Sequence, residues 1–93
     1  MDITMYRWGY DSIVYQDDKK IIINKVIYSS HIANLFLNEN ETWSIKHGHF
    51  RIFTKDFEKF ESNKIELLLE KDKEYKVQNI GCSPSIIVVV KLL

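Results

Sequence analysis

Glu66 stands one step ahead of the apolar run Leu67-Leu68-Leu69. A carboxylate there either points off a sheet into water or stands fixed in a cleft. In a cleft it can stabilise positive charge that develops on a substrate. On a strand from Lys64 to Glu70, Ile65, Leu67 and Leu69 face one side, while Lys64, Glu66, Leu68 and Glu70 face the other. Leu68 sits between two acids, so that second face is not simply wet. Arg7 is flanked by Tyr6, Trp8 and Tyr10. Its planar fork can clamp a phosphate or carboxylate while an aromatic neighbour stacks on a ring, or its stem can pack over exposed aromatics at a sheet edge. Ser29 and Ser30 can orient a carboxylate or a ligand ribose, or cap a helix.

His31, His47 and His49 do not form a metal-binding pattern. None has a His-x-x-x-His spacing with a nearby acid, and His47-x-His49 lacks a third ligand in sequence, so no metal is expected. Cys82 has no nearby base and falls in a turn, which argues against a thiol nucleophile. Gly9, Gly48 and Gly81 are isolated, so no phosphate-cradling loop is present.

The elements that must position these groups follow from local pattern. Met5 to Tyr10 reads as a strand, and Ser12 to Gln16 continues it or forms a hairpin arm. Asp17-Asp18-Lys19-Lys20 is a polar turn, and Ile21 to Tyr28 a β-branched strand. Ser29-Ser30 caps a short helix from His31 to Leu37, with Ile32, Ala33 and Phe36 on one face. Trp43 to Phe53 is a strand broken at His47-Gly48-His49 by a bulge or tight hairpin. Thr54 to Phe60 suits a second short helix with Phe57 and Phe60 inward. The last third reads either as three strands, Lys64–Glu70, Glu74–Ile80 and Ile86–Leu92, or as a helix running on from Thr54 to about Glu70. The strand reading is preferred because Asn63 interrupts the helical stripe.

The 93 residues fit one domain spanning 1–93, with a core of barely sufficient size. Hydrophobic residues at 45% and charged residues at 28% are ordinary for a folded chain. Thirteen basic residues balance thirteen acidic ones, which makes nucleic acid an unlikely partner, since phosphate binding draws on a basic surplus. A lone cysteine, no basic-then-apolar leader and no run long enough to span a bilayer point to a cytoplasmic protein with no membrane contact.

Taken in order, these residues resemble the Arg-Ser-Glu class of mono-ADP-ribosyltransferases, the group of the C3-like and binary clostridial toxins. Tyr6-Arg7 matches its early strand, Tyr28-Ser29-Ser30 its serine motif, and Ala33-Asn34-Leu35-Phe36 its following helix. Glu66-Leu67-Leu68-Leu69, Tyr75-Lys76-Val77 and Ile86 to Leu92 match its closing strands. Lys64 stands where that family carries Gln or Glu. The resemblance implies that NAD is the cofactor, with Glu66 stabilising an oxocarbenium-like transition state, Ser29 holding Glu66, and Arg7, with Tyr6, Ser29 and Ser30, binding the cofactor. ADP-ribose would pass to an acceptor the residues do not identify.

The competing reading is a small inhibitor encoded by a phage or mobile element. It would act on a host or defence protein, as an anti-defence, immunity or antitoxin protein does, by surface contact alone. Tyr6, Arg7, Trp8, Tyr10 and Trp43 would then be the anchors. Either way the expected fold is α+β, a small, mostly antiparallel sheet with one or two short helices. Its expected core is Ile21, Ile23, Val26, Ala33, Phe36, Ile52, Phe57, Phe60, Ile65, Leu67, Leu69, Val77, Ile87 and Val89.

Overall fold

A computed structural model describes residues 2–54, 59–62 and 66–93, the middle group by backbone alone. Every regular element in it is a strand: β1 (Ile3–Tyr6), β2 (Gly9–Gln16), β3 (Lys20–Ile27), β4 (Ile32–Phe36), β5 (Glu41–His47), β6 (Phe50–Thr54), β7 (Lys59–Ser62), β8 (Glu66–Leu69), β9 (Glu74–Asn79) and β10 (Ser85–Leu92). They form a six-stranded sheet ordered β1-β2-β3-β10-β5-β8 and a four-stranded sheet ordered β4-β9-β6-β7. All pairings are antiparallel.

The expected α+β class is therefore wrong: the described residues contain no helix. The segment from His31 to Leu37 is too short to be stable as an isolated helix. Its backbone instead pairs with β9, Ala33 opposite Val77 and Leu35 opposite Tyr75. Side chains then alternate, burying Ala33 while Phe36, an expected core residue, is 60% exposed. The serine pair caps nothing. Ser30 takes a positive φ of 66°, and the Ser29 hydroxyl donates to the Gly81 carbonyl at 2.6 Å. The second expected helix fails at both ends, because Thr54 closes β6 and Lys59–Ser62 pairs back onto it. Residues 55–58 and 63–65, which include Phe57, Lys64 and Ile65, lie outside the described residues, as does the side chain of Phe60.

The inner faces of the two sheets enclose the core. Ile23, Ile27, Trp43, Ile45, Ile87 and Val89 from the large sheet meet Ala33, Phe50, Ile52, Tyr75 and Val77 from the small one. Trp43 and Phe50 are completely buried, and truncating either to alanine is expected to cost about 3–5 kcal/mol. The chain changes sheets at Gly48, so β5 and β6 are not a hairpin but belong to different layers. Gly48 has φ 114°, and a Cβ there would come within 2.3 Å of the Ser85 Cβ. Only glycine fits that crossing.

Candidate functional site

The inward rows of the large sheet follow from its register. One row runs Ile13–Ile23–Val89–Trp43–Leu67 and is apolar throughout. The rows on either side are not. Asp11 pairs with Lys25, which lies opposite Ile87, and Ile21 pairs with Lys91, which lies opposite Glu41. Period-two alternation thus turns four charged side chains toward the interior, from the neighbouring strands β2, β3, β10 and β5. A bulge at Val14, between Ile13 and Tyr15, shifts the register of the β2 end.

Burying charge is tolerated only when it is paired, and each of these residues has a partner. The Lys25 ammonium, on a residue only 6% exposed, donates to Asp11 Oδ1 at 2.8 Å. It also lies 4.9 Å from the centre of the Trp8 ring and 5.9 Å from that of Trp43, where the ring quadrupole attracts a cation. Glu41, 4% exposed, accepts the Trp43 indole N–H at 2.9 Å through Oε1. Its Oε2 faces the Lys91 ammonium at 3.6 Å.

A cavity of about 200 Å³ lies against these pairs. Ile23 and Val89 of the large sheet, Asn34 to Phe36 of β4 with the following Leu37, and Tyr6 and Trp8 are among its lining residues. Tyr6 and Trp8 occupy the β1–β2 hairpin and stack in parallel, centroids 4.5 Å apart and planes 6° apart. The hairpin is pinned to β3 by the Tyr28 N–H, which donates to the Trp8 carbonyl at 2.8 Å. Gly9 permits the close approach, since a Cβ there would sit 1.8 Å from the Val26 carbonyl oxygen. Partial burial lifts the Tyr6 phenol above its ordinary pKa, helped by the nearby Asp11 charge and a hydrogen bond to that carboxylate.

The residues singled out from sequence do not meet here as a set. Arg7 is exposed in the turn after β1, and Glu66 is exposed at the start of β8. Strands β1 and β8 are opposite edges of the six-stranded sheet. Glu66 pairs with Ser44, one place along from the inward Trp43–Leu67 pair, so it points outward. Ser29 is held by Gly81, and Ser30 is exposed in a turn. Tyr10 packs its ring at a tilt on Tyr28, 6.5 Å away. Of the proposed surface anchors, Tyr6 and Trp8 border the cavity, whereas Trp43 is wholly interior.

His31 bonds the Ser29 carbonyl at 2.8 Å and His47 lies 3.3 Å from the Ser83 hydroxyl. Among the described residues no three His, Cys, Asp or Glu side chains are grouped to hold a metal ion. The two interior carboxylates face ammonium groups instead, a donor set that does not suit a divalent cation.

No family model matches the sequence, and no curated protein matches it. The fold, however, has clear counterparts among solved structures. The chain is similar to an RmlC-like cupin family protein with a double-stranded β-helix fold from Methanocaldococcus jannaschii, with a TM-score of 0.79 and 14% identity over 99% of this chain and 89% of that one. It is similar to KdgF from Halomonas sp., with a TM-score of 0.82 and 9% identity over 99% and 87% of the two chains. A cupin superfamily protein from Desulfitobacterium hafniense DCB-2 gives 0.78 and 12% over 97% and 82%. The chain has the cupin fold. That overturns the resemblance to ADP-ribosyltransferases and removes the ground for NAD as cofactor. The inhibitor reading gains no support from these neighbours either.

Proposed function

We propose that this chain is a cupin-fold binding module that takes one small polar molecule into the cavity beside Lys25, Glu41 and Lys91. The observation that carries the reading is the pair of inward ion pairs on four neighbouring strands, which line one cavity. An interior built for stability alone gains little from such pairs, because desolvation offsets most of their attraction. Fixed polar groups that converge on one pocket are what orient a bound molecule. Each carboxylate faces an ammonium group, at 2.8 Å for Asp11 and 3.6 Å for Glu41, which favours recognition over proton transfer.

No helix among the described residues is long and apolar enough to cross a membrane. A cytosolic setting accords with the single, exposed Cys82.

The chain contains two tryptophans, and each lies close to the Lys25 ammonium. Intrinsic fluorescence therefore reports occupancy directly. A library of small anions, cations, zwitterions and neutral polyols should contain a compound that shifts emission saturably and raises the thermal midpoint. If no class changes either quantity, the reading is wrong.

A further inference from the structure

We infer that the molecule this cavity takes is a neutral polyhydroxylated ring of monosaccharide size; this rests on the binding reading above. The first argument is charge. Asp11 and Glu41 balance Lys25 and Lys91, so the site is ampholytic and carries no net charge. A ligand with net charge would be desolvated there without a free counter-charge. A zwitterion has no net charge either, but its ends gain from the site only by pulling the existing pairs apart. A hydroxyl meets both kinds of partner at once, because it donates to a carboxylate and accepts from an ammonium.

The second argument is distance. Lys91 and Glu41 face each other at 3.6 Å, beyond the range of a good direct hydrogen bond. A separation of that kind suits a bridging oxygen. Glu41 Oε1 is already committed to Trp43, which leaves Oε2 and the ammonium as the groups a hydroxyl would join. Lys91 is the most solvent-accessible member of the four, with 30% of its side chain exposed.

The third is shape. Sugar rings carry apolar C–H faces as well as hydroxyl edges. Tyr6 and Trp8 form a flat, parallel stack at the cavity's side, and Tyr6 stays 41% exposed. Its ring supplies a face for a C–H surface, and the half-buried Leu35, which also lines the cavity, adds apolar surface.

The test is a titration of the isotope-labelled chain followed by amide and indole NMR resonances. The probes are D-glucose, D-galactose, D-mannose and D-xylose, compared with D-galacturonate, D-glucosamine and L-serine. At least one neutral sugar should saturably shift Tyr6, Trp8, Lys91 and the Trp43 indole. Tyr6→Ala should weaken that binding about fivefold, the scale of one aromatic contact. Lys91→Met should weaken it about tenfold, the scale of a hydrogen bond to a charged group. Both variants should keep a folded spectrum. Binding at these resonances by galacturonate, glucosamine or serine alone would overturn the neutral-ring inference and leave the binding reading standing. Sugar-induced shifts confined to other residues would also overturn the inference. No shift at the cavity from any probe class would overturn both.

Discussion

Trp43 donates its indole N–H to Glu41, two residues earlier on the same strand and the same face, at 2.9 Å within the interior. Replacing the indole by a phenyl ring removes the donor while keeping an aromatic side chain. Trp43→Phe should lower stability by about 2 kcal/mol, part from lost volume and part from a buried carboxylate losing a partner. Urea unfolding followed by circular dichroism measures it. An unchanged midpoint would show that Lys91 alone suffices to hold Glu41.

Breaking the other pair from one side should cost more than removing both members. Lys25→Met leaves Asp11 without its counter-ion, with the Tyr6 hydrogen bond as its remaining support, and should destabilise the chain by about 3 kcal/mol, whereas Lys25→Met with Asp11→Leu should recover most of that loss. Comparing both variants with wild type by thermal and urea unfolding decides it. Equal losses in the single and double variants would mean that packing, not charge pairing, sets the effect.

Gly9→Ala tests the hairpin that carries Tyr6 and Trp8. The new Cβ would stand 1.8 Å from the Val26 carbonyl oxygen, so β2 must move off β3 or the hairpin must shift. A destabilisation of about 3 kcal/mol is expected, in the range of severe overpacking. The Trp8 emission should move toward that of an exposed indole. A variant with wild-type emission and stability would contradict the close approach.

The raised pKa of Tyr6 gives a pH dependence with a definite sign. Its burial and the Asp11 charge favour the protonated phenol in the fold, so the unfolded chain loses that proton first. The stabilisation is complete below the usual tyrosine value of 10.0 and declines as pH rises from there through the folded value. Tyr6→Phe should flatten that alkaline decline relative to wild type. Tyr15, also raised by its bond to Asp17, is common to both proteins and cancels in the comparison. Parallel stability curves above that pH would refute the assignment.

Much of the strand layout was legible in the residues. Ile21 to Tyr28 announced β3, Asp17 its turn, Gly48 the break between β5 and β6, and the Ile-Ile-Val-Val-Val run β10. Strand β4 was not, because nothing within Ile32 to Phe36 distinguishes a short helix from an edge strand whose partner lies some forty positions on. The site does leave a signal in the sequence. Lys25 shares its strand face with Ile21, Ile23 and Ile27, Glu41 with Trp43 and Ile45, and Lys91 with Ile87 and Val89. A charge in step with core residues marks an interior ion. Which lysine meets which acid was out of reach, because bulges near Val14 and Lys46 set the registers. Arg7, Ser29 and Glu66 are linked only by their order along the chain, which carries no information about opposite sheet edges.

Strand β10, last in the sequence, lies between β3 and β5 and supplies hydrogen bonds to both. The two flanking strands have no direct pairing with each other, so the large sheet stays in halves until residues 85–92 arrive. Joining the halves should therefore be a single step, at the unhurried pace that distant pairings impose.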